Sequence, residues 1–197
     1  MFRIVVFFMA LVIFPLPGMA MELAPDTLET EQTASQEERS WWGQFQYRVS
    51  QTWNSPTVDL LVPLHTWHNR HTYDKAKTDK YNEQPWGVGI AKSMYDEDGD
   101  WHALYAIGFQ DSHDMFQPMV GYGYLKYWRP TGKDDWRIGG GFTAGITARQ
   151  QYNYIPLPLP LPMGSIEYKR VGLQAVYIPG TYNNGNVLFC WLRWQLN

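Results

Sequence analysis

The sequence predicts an all-β fold, an eight-stranded antiparallel β-barrel of the outer-membrane kind, preceded by a short N-terminal amphipathic helix. Three observations carry that expectation. The chain opens with an export signal and has no later apolar run long enough to cross a bilayer as a helix. It is rich in residues suited to a membrane–water boundary, with ten Trp and thirteen Tyr beside seventeen Gly. From Pro56 onward its apolar residues recur with a period of two, the period of a strand.

The export signal is residues 1–20. Arg3 supplies a positive charge, Ile4 to Phe14 is an unbroken apolar run, and the small residues Gly18 and Ala20 close it. That order is the order of a secretory signal peptide, and the apolar run is too short to span a bilayer as a helix; an N-terminal membrane anchor is the alternative. Residues 21–40 follow as an acidic, polar leader with little to bury. Over 41–55 the pattern turns helical: Trp42, Phe45, Val49 and Thr52/Trp53 recur at helical spacing, Ser40 stands ready to cap and Pro56 to stop. Two Trp on or near one face suit an interfacial helix, although a helix packed on a globular core reads the same way.

Residues 57–197 are the expected barrel. The clearest strand is WRIGGGFTAGITA (136–148), with Trp136, Ile138, Phe142 and Ile146 on one face and Arg137, Thr143 and Thr147 on the other. The same alternation runs through Trp86/Val88/Ile90, Trp101/Tyr105/Ile107/Phe109, Val120/Tyr122/Tyr124/Trp128 and Val171/Leu173/Tyr177, and these bulky sets are read as facing lipid. Short turns at 96–99, 130–133 and 168–170 alternate with longer connections at 68–84, 111–117, 149–155 and 180–186. Short turns at one rim and long loops at the other describe an outer-membrane barrel. A soluble lipocalin-type barrel has the same strand number but puts polar residues outside.

The opposite face carries Gly87, Gly89, Gly121, Gly123, Gly139, Gly141, Gly145 and Gly172. Glycines at that density are expected to leave part of the interior empty, as a slot without ion-pair residues that suits an alkyl chain. The alternative is that they only relieve curvature and make room for aromatic rings. Pro63, Pro85, Pro162 and Pro179 fall in or beside strands, and each removes a ladder donor. Gaps so made near one rim suit sideways entry of a lipid tail. The single cysteine, Cys190, excludes an internal disulfide framework, and a net charge of −3 argues against a nucleic-acid partner.

Four stretches, TWHNRHTYDKAKTDKYNEQPWG (66–87), GFTAGITAR (141–149), YNYIPLPLPLP (152–162) and YIPGTYNNGNV (177–187), resemble the PagP-type lipid A palmitoyltransferases, and the likeness runs from about Trp53 to the C-terminus. The resemblance implies an enzyme that needs no cofactor or metal. It implies movement of a palmitoyl chain from the sn-1 position of a glycerophospholipid donor to the hydroxyl of the amide-linked hydroxyacyl chain on the proximal glucosamine of lipid A. Resistance to cationic antimicrobial peptides, a bacterial outer-membrane location and a monomeric or homodimeric state go with it. By motif match the essential polar residues are His68, Asp111 and Ser112, the acyl-chain floor is Gly123, and the lateral-access prolines are Pro63, Pro85, Pro162 and Pro179.

Acyl transfer between oxygens needs a base for the attacking hydroxyl and donors for the carbonyl oxyanion. Neighbouring residues on an extended strand point to opposite faces, so Asp111 and Ser112 both face His68 only if the strand has ended. An acyl-enzyme on Ser112 and direct activation of the lipid A hydroxyl by His68 both fit these residues. Arg70, Lys75, Lys77 and Lys80 lie near the same rim, where they either meet phosphates or alternate with acids on a solvated loop. Competing functions are an outer-membrane phospholipase, which uses water as acceptor, and a non-enzymatic lipid-binding barrel.

Overall fold

The computed structural model describes residues 40–130 and 135–197. The export signal and nearly all of the acidic leader lie outside the described residues. Helix α1, Trp41–Asn54, precedes eight strands: β1 Val58–His68, β2 Gly87–Tyr95, β3 Trp101–Gln110, β4 Phe116–Trp128, β5 Trp136–Thr147, β6 Leu157–Tyr168, β7 Val171–Ile178 and β8 Val187–Gln195. Each strand pairs antiparallel with the next, and β8 closes on β1, so the sheet is one barrel with no edge. A single turn of helix, α2 (Lys75–Thr78), sits in the β1–β2 connection. None of the described helices is long and apolar enough to cross a membrane, and it is the strands that carry the apolar exterior.

That exterior follows the alternation. Trp86, Val88, Ile90, Val120, Phe142 and Ile146 are among its exposed apolar residues. Tyr122 has the same outward parity but is buried, because α1 lies against the wall there: the Phe45 ring meets the Tyr122 ring edge-on at 5.2 Å. Ser55 Oγ donates to the Ser93 carbonyl (2.6 Å) and Arg48 pairs with Glu97 (2.7 Å), which fixes the helix beside the β2–β3 turn. Trp41 and Trp53, 77% and 64% exposed, point away from the barrel.

Three sequence expectations about the interior are corrected. The β3 set Trp101, Tyr105, Ile107 and Phe109 faces inward, with Trp101, Ile107 and Phe109 buried, while Leu104, Ala106 and Gly108 take the other face. Period two groups residues by face without saying which face is inside, and both faces of β3 are apolar. The glycines leave less space than expected. Tyr105 packs onto Gly121, Tyr127 onto Gly139 and Phe109 onto Gly87, so neighbouring side chains fill what the missing Cβ atoms free. The interior also holds charge. Arg193 bridges Asp59 (3.1 Å) and Glu167, Arg137 reaches Glu167 (3.1 Å), and Tyr95 and Tyr127 donate to Glu167 (2.6 and 3.2 Å). Asp59, Glu167 and Arg193 are fully buried near the short-turn rim. Charges are tolerated there because each has an opposite partner within hydrogen-bonding distance.

The inward side chains of β8 therefore read as an axis: Val187 and Phe189 near the long-connection rim, then Trp191, then Arg193 in the charged layer. An apolar chamber lies above, and an ionic plug closes it below.

Candidate active site at the long-connection rim

The position of His68 depends on one extra residue. Along β1 the buried residues are Asp59, Leu61 and Pro63, then Thr66 and His68, so the inward parity changes from odd to even. The change coincides with a register shift against β8, where Pro63 pairs with Trp191 and His65 already pairs with Cys190. Leu64 is thus an inserted, bulged residue. Unbroken alternation through Leu64 would turn Trp67 inward and His68 outward.

Ser112 arrives from the other side of the rim. Strand β3 ends at Gln110, and residues 111–115 form a tight turn. Asp111 organises that turn: its Oδ1 accepts the backbone N–H groups of His113 (2.8 Å) and Met115 (3.1 Å), and its Oδ2 takes the Arg149 guanidinium at 3.1 Å. The turn leaves Ser112 Oγ 3.1 Å from His68 Nε2. Of the three sequence-derived candidates, His68 and Ser112 meet. Asp111 faces elsewhere, and the imidazole nearest its carboxylate is that of His113, at 4.0 Å.

The carboxylate that reaches His68 is Glu83, one of the acids that alternate with Arg70, Lys75, Lys77 and Lys80 along the first long connection. Glu83 Oε1 lies 3.0 Å from His68 Nδ1 and accepts the His68 backbone N–H at 3.2 Å, and Oε2 accepts from Arg70 at 2.6 Å. Burial alone would raise the Glu83 carboxyl, but the hydrogen bonds from Arg70 and His68 outweigh it and hold the group below the ordinary glutamate range. The Glu83 carbonyl also accepts the Thr66 N–H (2.9 Å), which pins the loop to β1. Tyr81 and Tyr73 close on the imidazole, with ring centroids at 4.7 and 5.2 Å. No pattern of spacing marks Glu83, because its contact with His68 is made by loop folding. Arg70 is engaged by Glu83 and Lys75 by Asp79 (2.8 Å), so both already have acidic partners. Among the described residues no group of three His, Cys, Asp or Glu side chains is arranged to hold a metal ion.

Within the barrel, a small apolar cavity is lined by Leu61, Ile107, Met119, Met163, Val176 and Phe189, with Trp101, Trp191 and Gln174 toward the charged layer. Gly123 is the only glycine in its lining. A Cβ at Gly123 would sit 3.1 Å from the Trp101 ring and 3.8 Å from Met163 Sδ. The Arg193 guanidinium lies 5.4 Å from the same Trp101 ring, so Trp101 separates the cavity from the plug.

Two ladders stop short, both toward the long-connection rim. β1 and β2 pair only from Val58 to Leu61, and β6 and β7 only from Met163 to Tyr168. The first gap begins beside Pro63 and ends near Pro85; the second begins at Pro162 and ends near Pro179. In β6, Pro158, Pro160 and Pro162 share one parity, so their missing N–H groups all face one neighbour. The β5–β6 ladder is continuous from Trp136 to Thr147, which assigns the missing donors to the β7 side.

The family model described as "Antimicrobial peptide resistance and lipid A acylation protein PagP" matches residues 48–193. Curated relatives named lipid A acyltransferase PagP include those of Photorhabdus laumondii (59% identical over 79% of this chain and 75% of the relative) and Pectobacterium parmentieri (51% over 88% and 83%). Another, from Yersinia enterocolitica, is 53% identical over 88% of this chain and 86% of its own length. The match spans every strand and brings with it the rim at which His68 and Ser112 meet: this chain belongs to the PagP family.

Proposed function

We propose that the protein is an outer-membrane acyltransferase that moves a palmitoyl chain from the sn-1 position of a glycerophospholipid to lipid A. The acceptor is the hydroxyl of the amide-linked hydroxyacyl chain on the proximal glucosamine. The observation that carries this reading is the pairing of His68 Nε2 with Ser112 Oγ at 3.1 Å on a rim above an apolar cavity. A donor whose chain fills the cavity would hold its ester at that rim. The ladder gaps flanked by Pro63 and Pro85, and by Pro162 and Pro179, give lipid a sideways route that avoids the ionic plug.

Chemically, His68 Nε2 takes the proton of the attacking hydroxyl as its oxygen bonds to the ester carbonyl carbon. The tetrahedral intermediate then releases the glycerol oxygen, which receives that proton. Asp111 serves by shaping the turn that presents Ser112, and α1 lies at the periplasmic face of the outer membrane with its Trp residues in the headgroup layer. An added acyl chain tightens lipid A packing, and resistance to cationic antimicrobial peptides follows from that.

The test uses purified protein in detergent with phospholipid labelled on the sn-1 chain, with and without lipid A. Labelled lipid A and lysophospholipid formed together, dependent on acceptor, are expected. Free fatty acid with no labelled lipid A would make the protein a phospholipase, and label retained on phospholipid would make it a binding barrel.

A further inference from the structure

We propose that Glu83, not Asp111, is the positioning residue of the acyl-transfer centre, holding the His68 ring so that Nε2 is the proton acceptor. The inference rests on the reading of His68 as the base and adds the group that makes it one.

An ionised carboxylate only accepts hydrogen bonds, so the 3.0 Å contact to Glu83 Oε1 requires His68 Nδ1 to carry the proton. The lone pair is then on Nε2, 3.1 Å from Ser112 Oγ. The same Oε1 accepts the His68 backbone N–H at 3.2 Å, so one oxygen restrains both ring and main chain. Arg70 occupies Oε2 at 2.6 Å, which keeps Glu83 ionised and fixes its plane. The His68 and Glu83 side chains are only 4% and 17% exposed, a setting in which a charge acts more strongly than in water.

Asp111 is engaged elsewhere, and no hydrogen bond joins it to the His68 ring. Its two oxygens are taken by two backbone N–H groups and by Arg149. When His68 accepts the hydroxyl proton, both its nitrogens are protonated and the ring is positive. Glu83 is the carboxylate placed to stabilise that charge until the proton passes to the leaving glycerol oxygen.

The experiment compares Glu83→Gln, Glu83→Asp and His68→Ala in detergent, scoring only protein that keeps its heat-dependent gel shift. The readouts are acyl-transfer kinetics across pH and 15N NMR of labelled histidine. Glu83→Gln is expected to lower kcat by about 100-fold or more, by comparison with the third member of hydrolase triads, with KM for phospholipid little changed. The acidic limb of its kcat profile moves to lower pH, because the imidazolium has lost its carboxylate partner. Glu83→Asp recovers part of the rate and returns the limb toward its original position. If Glu83→Gln does not fold, Glu83→Asp carries the test: its withdrawn carboxylate lowers kcat and shifts the limb in the same direction. Near-normal kcat in either Glu83 variant beside an inactive His68→Ala overturns the proposal. A lost kcat with an unmoved pH profile and unchanged His68 nitrogen signals overturns it too, reducing Glu83 to loop support. Activity in His68→Ala refutes instead the reading of His68 as base.

Discussion

Gly123→Met tests whether the cavity measures the acyl chain. The first atom added at Gly123 would stand 3.1 Å from the Trp101 ring, closer than ordinary van der Waals contact, and Met163 Sδ is 3.8 Å away on another side. The remaining atoms must therefore extend into the cavity, toward the methyl end of a bound chain. A methionine side chain adds four heavy atoms, and a packed interior does not absorb them cheaply, so they displace on the order of four methylenes. At about 0.8 kcal/mol per buried methylene, a sixteen-carbon chain loses about 3 kcal/mol, roughly two orders of magnitude in preference against one about four carbons shorter. The assay offers phosphatidylcholines of single chain length one at a time and compares kcat/KM. A folded, active Gly123→Met protein that still prefers palmitate would refute the argument and move the chain's end elsewhere.

Three further predictions follow from the same geometry. Deleting Leu64 removes the extra residue and leaves Thr66 and His68 inward by plain alternation, so the gel shift, β-type circular dichroism and acyl transfer should all persist; loss of acyl transfer in a folded protein would mean Leu64 is not the inserted residue. Arg193→Met leaves Asp59 buried without its cationic partner and Glu167 with Arg137 alone, and should cost about 3–5 kcal/mol, read as a lowered thermal midpoint in detergent, whereas an unchanged midpoint would contradict the plug. Because the folded Glu83 carboxyl lies below its unfolded value, its stabilisation is full above the ordinary glutamate range, about pH 4.3, and is lost as pH falls through the folded value. Hydrogen exchange in residues 69–86 should therefore rise on acidification below that range before the barrel strands exchange, and simultaneous exchange of loop and strands would argue against it.

The fold was legible in the sequence because its signals are local. Alternation within each strand, turn residues between strands and missing donors at Pro63 and Pro162 are all properties of a few neighbouring residues. What escaped is what closure of the barrel decides. Both faces of β3 are apolar, so nothing in the strand itself says that Trp101 and Phe109 face inward. Arg193, Asp59 and Glu167 come from three different strands and become one cluster only when β8 closes on β1. His68 was singled out by its motif, but its inward aim depends on the Leu64 bulge, which plain alternation contradicts. Glu83 is not legible in the same way, because it lies fifteen positions along the chain from the imidazole it touches. Asp111 is marked by motif match beside Ser112, and its turn-building hydrogen bonds direct its carboxylate away from His68.

The central claim is tested most directly by mass spectrometry of lipid A from Gram-negative cells that lack any lipid A palmitoyltransferase and express this chain. Lipid A that gains one palmitoyl group on the amide-linked chain of the proximal glucosamine is the predicted result, absent when the expressed protein carries His68→Ala. Unmodified lipid A in cells whose outer membranes contain the folded wild-type barrel would contradict it.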